Sequence, residues 1–300
     1  MNYKILDDMK TTNIKKVNYS ITSVLCTLFS VLFISCSEQE IEPAGSMKDA
    51  PITIASAGVA ELTTRVITDG KLVGTSDSHA TMSVFVTGGT ADKYNATNLK
   101  WEHDGTSWNS ETNVLYEGAS SSQKIYACSP YTTVTDNNIT VTATDQTDWL
   151  VATATDLTSS VVNLTMTHAL TKLVLKPTLG TELTSQTITS VKVEGMYASG
   201  TLNVSDNTWS DLPEANTILA MVNNELLVIP MESCTSLPIT ITMEDARVFK
   251  TTINLATVDN KLEAGTQYNI ALQVGQDKVT LGGITASPWG YAAGGVLETE

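Results

Sequence analysis

Apolar and polar residues trade places over short stretches for most of the chain, and each stretch stops at Gly, Asn, Asp or Pro. Ile139-Thr140-Val141-Thr142-Ala143 alternates strictly, the period of a strand with one buried face. Pro51-Ile52-Thr53-Ile54-Ala55, Met82-Ser83-Val84-Phe85-Val86 and Gln123-Lys124-Ile125-Tyr126-Ala127 are short β-branched or apolar runs of the same kind. Further strand-like runs cover 161–166, 172–176, 188–193, 225–229, 239–243, 248–255, 267–274 and 278–281. Asp104-Gly105, between Trp101 and Trp108, predicts a hairpin, because Asp-Gly supplies the positive-φ turn. Asp206-Asn207 before Trp209 predicts a second, and Asp259-Asn260 breaks the chain again. No window beyond the first 35 residues carries an i, i+3, i+4, i+7 apolar stripe. Short strands with turn signals every 8–12 residues predict an all-β chain of sandwich units.

The N-terminus has a different pattern. Lys10, Lys15 and Lys16 precede an uncharged, mostly apolar run over 17–35 that ends Phe33-Ile34-Ser35-Cys36. A positive flank, an apolar stretch and a small residue at the cut are the layout of a secretory leader. A retained membrane helix is the alternative on length, but Asn18, Ser20, Thr22, Ser23, Thr27 and Ser30 make the run less apolar than most spans. Phe33-Ile34-Ser35-Cys36 resembles a lipobox, with Phe where most have Leu. We therefore expect residues 1–35 to be a lipoprotein signal peptide and Cys36 to be lipidated. More than one acyl chain anchors a protein stably where one does not. The acidic Ser37-Glu38-Gln39-Glu40 resembles a surface-export signal of Bacteroidia-type lipoproteins. Residues 36–50 read as a polar tether. Beyond it we expect one domain over 51–160 and a second over 161–300, with a weak boundary at Thr158-Ser159-Ser160.

Composition narrows the function. The 300-residue chain carries a net charge of −15 with only 16% charged residues. Lys4, Lys10, Lys15 and Lys16 face Asp7 and Asp8 in the leader, so the acidity lies beyond it. Such a chain repels nucleic acid, and no basic patch offsets that. Arg65 and Arg247 are the only arginines. Beyond Cys26 in the leader and Cys36, two cysteines remain, Cys128 and Cys234, which either pair in an oxidising compartment or stand as two buried thiols.

Chemistry-bearing motifs are missing. The three histidines, His79, His103 and His168, lack a second ligand at zinc spacing. There is no nucleophile elbow, P-loop or dinucleotide fingerprint. Asp136-Asn137-Asn138 and Asp206-Asn207 suit turns better than calcium loops. We expect no catalytic residues, no metal and no cofactor, and therefore no enzyme.

Several features then fall in a telling order. After the lipobox come a strand ending Thr63-Thr64-Arg65 and then Met82-Ser83-Val84-Phe85-Val86. Met166-Thr167-His168-Ala169-Leu170-Thr171-Lys172-Leu173 lies mid-chain, and Leu262-Glu263-Ala264-Gly265-Thr266-Gln267-Tyr268-Asn269-Ile270 near the end. Gly283-Ile284-Thr285-Ala286-Ser287-Pro288-Trp289 closes the series. Over the whole mature chain this resembles the fimbrillin family, the lipoprotein pilins of Bacteroidia fimbriae. The resemblance implies two transthyretin-like β-sandwich domains, and cleavage after an arginine at the end of the first strand, here Arg65. Loss of strand 51–65 would open a groove, filled by a C-terminal strand of another subunit. In this chain the donor would be 278–297, with Val279, Leu281, Ile284 and Trp289 as anchors. Partners would be other pilin subunits, the outer membrane through lipid before processing, and a host or bacterial surface receptor. The place would be the outer membrane, the cell surface and the fimbrium. The alternative is a lipid-retaining surface anchor, or an adhesin or glycan-binding lipoprotein, for which an exposed aromatic platform would argue. The five tryptophans (Trp101, Trp108, Trp149, Trp209, Trp289) are its candidates, though strand or turn packing suits the first four better.

Overall fold

The computed structural model describes residues 47–59, 67–68, 71–72, 74–75, 78–183 and 186–289. All lie in one unit, Glu42–Glu300, and their regular structure is β apart from four single 3-10 turns.

The chain opens with β1 (Thr53–Val59) and four two-residue strands, β2 (Ile67–Thr68), β3 (Lys71–Leu72), β4 (Gly74–Thr75) and β5 (Ser78–His79). It continues through β6 (Thr81–Thr87), β7 (Ala96–His103), β8 (Trp108–Ser110), β9 (Lys124–Ser129), β10 (Asn138–Thr142), β11 (Leu150–Asp156) and β12 (Val161–His168). Nine of these form one sheet in the order β2-β3-β1-β12-β11-β9-β6-β7-β8. The sheet folds over on itself so that β1 approaches β8. One core lies between its layers: Ile52, Ile54, Ala57 and Val59 meet Val162, Leu164 and Met166 from β12 and Met82, Val84, Trp101, Trp108 and Ile125 from the far layer.

The second half has β13 (Thr171–Leu179), β14 (Ile188–Met196), β15 (Ser199–Asn203), β16 (Thr208–Ser210), β17 (Thr217–Ala220), β18 (Glu225–Val228), β19 (Ser236–Met243), β20 (Val248–Asn254), β21 (Thr266–Val274) and β22 (Val279–Pro288). Two four-stranded sheets, β18-β13-β21-β22 and β17-β14-β19-β20, enclose a second core. Leu173, Leu175, Leu226, Tyr268, Ile270 and Leu272 face Val191, Val193, Leu219, Leu237, Ile239 and Ile241 across it.

A third cluster joins the halves. The small sheet β10-β15-β16 takes strands from both. Its Ile139, Val141 and Leu202, with Val204 just past β15, cover the outer face of β6, β9 and β11 at Phe85, Tyr126, Cys128 and Val151. That is why β6 and β9 are buried on both faces and read as continuous apolar runs instead of alternating ones. Phe85 and Tyr126 stack there, centroids 4.8 Å apart and 2° from parallel.

Both hairpins expected from turn chemistry are present. Gly105 has φ 94°, and the Asp104 carboxylate accepts from the Thr106 and Ser107 amides at 2.8 Å. Asn207 has φ 59° between β15 and β16. Asp136 and Asn137 are likewise left-handed turn residues. The strand that opens at Val161 was expected to begin the C-terminal half. It is instead bonded to β1 and β11 in the N-terminal sheet, because its inward residues Val162, Leu164 and Met166 belong to the first core.

Candidate functional site

Two strands concern the functional reading, one at each end of the described chain. β1 runs parallel to β12, from Thr53 opposite Val161 to Val59 opposite Met166. On its other side, among the described residues, it pairs with β3 at Gly58. The register slips one residue between Ile54 and Ser56, so Ala55 is a bulge. The bulge matters because it switches the inward parity from Ile52 and Ile54 to Ala57 and Val59. All four side chains are buried, so the strand presents an unbroken apolar face despite a broken alternation. Burying an Ile or Val side chain stabilises by about 1.5–3 kcal/mol, so β1 is a substantial part of the first core. Arg65, at the expected end of this strand, and Cys36 lie outside the described residues.

β22 is the edge of its sheet and pairs antiparallel with β21 along its whole length. It too is bulged, with a register slip that leaves Gly282 unpaired between Leu281 and Gly283. The slip brings three of the four proposed anchors to one face: Val279 opposite Val274, Leu281 opposite Leu272 and Ile284 opposite Ile270. Without it Leu281 and Ile284 would point to opposite sides. Val279 and Ile284 pack partly on the second core, while Leu281 is 39% exposed. The strand carries no charged residue.

Trp289 behaves differently. It is 4% exposed and sits in the third cluster between the halves. Its ring stacks on His168, the last residue of β12, with centroids 3.8 Å apart and 12° between planes. Its backbone N–H donates to the Gly265 carbonyl at 2.6 Å. His168 is itself 2% exposed and its Nδ1 lies 2.8 Å from Asp148 Oδ1. His168 Nε2 and Trp289 Nε1 are buried without hydrogen-bond partners. Lys172 Nζ lies 5.9 Å from the Trp289 ring and pairs with Glu225. The sequence marks Trp289 as an anchor, but nothing local links it to His168; their shared aromatic character is the only available signal.

The remaining candidates are structural. His103 is buried, meets Trp108 edge-on and accepts the Gly105 amide at Nδ1. Trp101 and Trp108 are core residues, and Trp149 and Trp209 are half-buried against the third cluster. Cys128 and Cys234 are free, buried thiols in different cores. Among the described residues no His, Cys, Asp and Glu group has metal-binding geometry, and no helix is long and apolar enough to cross a membrane.

No curated protein matches the sequence, but solved structures share its fold. A candidate cell-adhesion protein from Bacteroides uniformis superposes with a TM-score of 0.62 at 17% identity, covering 80% of this chain and 98% of its own. One from Bacteroides ovatus gives 0.59 at 19% identity, covering 81% and 99%. At these identities the likeness establishes the architecture, an all-β fold of packed sandwiches. The sequence pattern described as fimbrillin-like matches residues 64–289, from beside Arg65 to the buried Trp289, and on that match the chain belongs to the fimbrillin-like family.

Proposed function

We propose that this protein is a structural fimbrial subunit, exported as a lipoprotein on Cys36, cut after Arg65 and polymerised by strand exchange into adhesive surface fimbriae. Its role is mechanical and adhesive, not catalytic. Its mature part consists of an N-terminal sandwich, closed by β1, and a C-terminal sandwich ending in the donor segment. Its partners are other subunits, the outer membrane before processing and a surface receptor at the end of assembly.

The observation that carries this reading is β1. Three buried apolar side chains on β1 (Ile54, Ala57 and Val59) and a fourth, Ile52, just before it, on a strand bonded along one side to β12, make a removable plug. Its loss would leave unpaired N–H and C=O groups beside an apolar groove, the kind of edge that recruits another strand. β22 has matching chemistry: an uncharged edge strand with Val279, Leu281 and Ile284 on one face. Passing such a strand to the next subunit is head-to-tail and does not close, so it yields a filament.

Limiting trypsin on the purified precursor tests this. One cut after Arg65, followed by a ladder of oligomers on native gels, is the expected outcome. An uncut Arg65, or a cut product that stays monomeric at high concentration, would remove the polymerising-subunit reading in favour of a lipid-retaining anchor or adhesin.

A further inference from the structure

β12 connects the two strands just described. Its residues Val161–Met166 have β1 as their ladder partner, whereas only Thr167 and His168 pair with β11. Between β11 and β12 the sheet is split by a cleft of about 210 Å³ lined by Val151, Ala152, Thr155, Asn163, Leu164 and Thr167. β11 turns away from β12 here, and its Ala154 amide donates to the Ser205 carbonyl at 2.8 Å. β12 is thus held in place chiefly by β1.

At the far end of β12 stands His168, and on His168 lies Trp289. Residues 279–288 are half-buried or exposed, and Trp289 is the buried residue among the described positions from 279 on. β22 is therefore held by its ladder to β21, by Val279 and Ile284 resting partly on the second core, and by this one fully seated ring. The seat is a compromise. Stacking and the bond to Gly265 favour it, but it leaves Trp289 Nε1 and His168 Nε2 buried without partners. Each unpaired buried polar group carries a desolvation cost that water would relieve on release.

We infer that the Trp289–His168 stack is a latch keeping β22 in its own subunit, and that β1 holds the latch shut through β12. This rests on the reading above, in which β1 leaves and β22 is donated. Loss of β1 strips six residues of β12 of their ladder. His168 is then fixed by two pairs to β11, the bond from the Ala169 amide to the Trp149 carbonyl and its Nδ1 contact with Asp148, and a shift of β12 against these gives up the stack. β12 is the element with two arrangements that both ends bias. The donor strand is thereby released only in subunits whose own groove is already open.

Hydrogen exchange of the full chain, read by mass spectrometry, tests this. In Trp289→Ala the amides of β22 should exchange at least tenfold faster while β13 and β19 keep their protection; Trp289→Phe, which retains a stacking ring, should change less. Ile54→Ala, in β1, should speed exchange in β12 and β22 together. Unchanged β22 protection in Trp289→Ala overturns the latch. Faster exchange confined to β1 and β12 in Ile54→Ala overturns its control by β1. Should either variant lose protection throughout, Trp289→Leu and Ile54→Val make the same comparison more gently. No polymer is needed for these measurements. A latch that opens as expected in a chain that never polymerises after trypsin would sink the proposed function and leave the latch standing.

Discussion

Cys128 shows how far the environment of one residue departs from its sequence. The side chain is fully buried between the N-terminal sheet and the small sheet that covers it. Burial pushes its thiol up to about 12, against the opposing hydrogen bonds of Ser83. Because the thiolate is the reactive form, Cys128 should resist iodoacetamide at pH 8 in the folded chain and react once urea unfolds it. The same shift sets an alkaline weakness. An unfolded thiol gives up its proton near pH 8.5–9 (about its ordinary value), while the folded one keeps it to about 12. The contribution is thus whole below about pH 9 and is lost as pH rises toward 12, at up to about 1.4 kcal/mol per pH unit. Denaturant titrations across that window should show a shallower loss for Cys128→Ala than for the parent. Equal slopes would mean the thiol does not carry it.

Among elements, β1 and β12 show what packing adds to pattern. β12 alternates perfectly, with Val162, Leu164, Met166 and His168 inward and Val161, Asn163, Thr165 and Thr167 outward. Its inward positions are legible from period 2 alone. β1 is not, since the bulge at Ala55 shifts the parity midway. The structure therefore separates neighbours that look alike on paper. Ile52→Ala, at a 2% exposed position, should cost about 2–5 kcal/mol through lost burial and the cavity left behind. Val161→Thr, at 47% exposure, should stay within about 0.5 kcal/mol, as surface changes do. Urea midpoints of the two variants check this, and similar losses in both would contradict the assigned face of each strand.

At the scale of the whole molecule, three cores do the work of cohesion and charge does not. The ion pairs Lys93–Asp49, Lys100–Glu102, Lys124–Asp156 and Lys261–Glu263 lie at the surface, where such pairs contribute little. The net charge of −15 bears instead on encounters between copies, which repel one another. Under the proposed function, assembly of trypsin-treated protein should speed up as salt rises from about 10 mM to about 150 mM, where the screening length falls from about 30 Å to about 8 Å. Light scattering during assembly would follow it. A rate that falls with salt would point to a charge-steered contact between subunits that this surface gives no reason to expect.

The chain's order of strands and turns is written locally. Alternation in 139–143 and 161–166, and the Asp104-Gly105 and Asp206-Asn207 turns, need only the two-residue period of extended backbone and the positive φ that Gly, Asn and Asp tolerate. Tertiary structure decided what no local rule could. A third sheet gave β6 and β9 a second buried face. Single-residue bulges at Ala55 and Gly282 reset which side chains share a side. β12 joined the N-terminal sheet because its apolar residues fit that core, although the turn before it looked like a boundary. The seat of Trp289 on His168 joins residues far apart in sequence, and only the packing of the two halves could bring them together, since nothing in either local sequence encodes its partner.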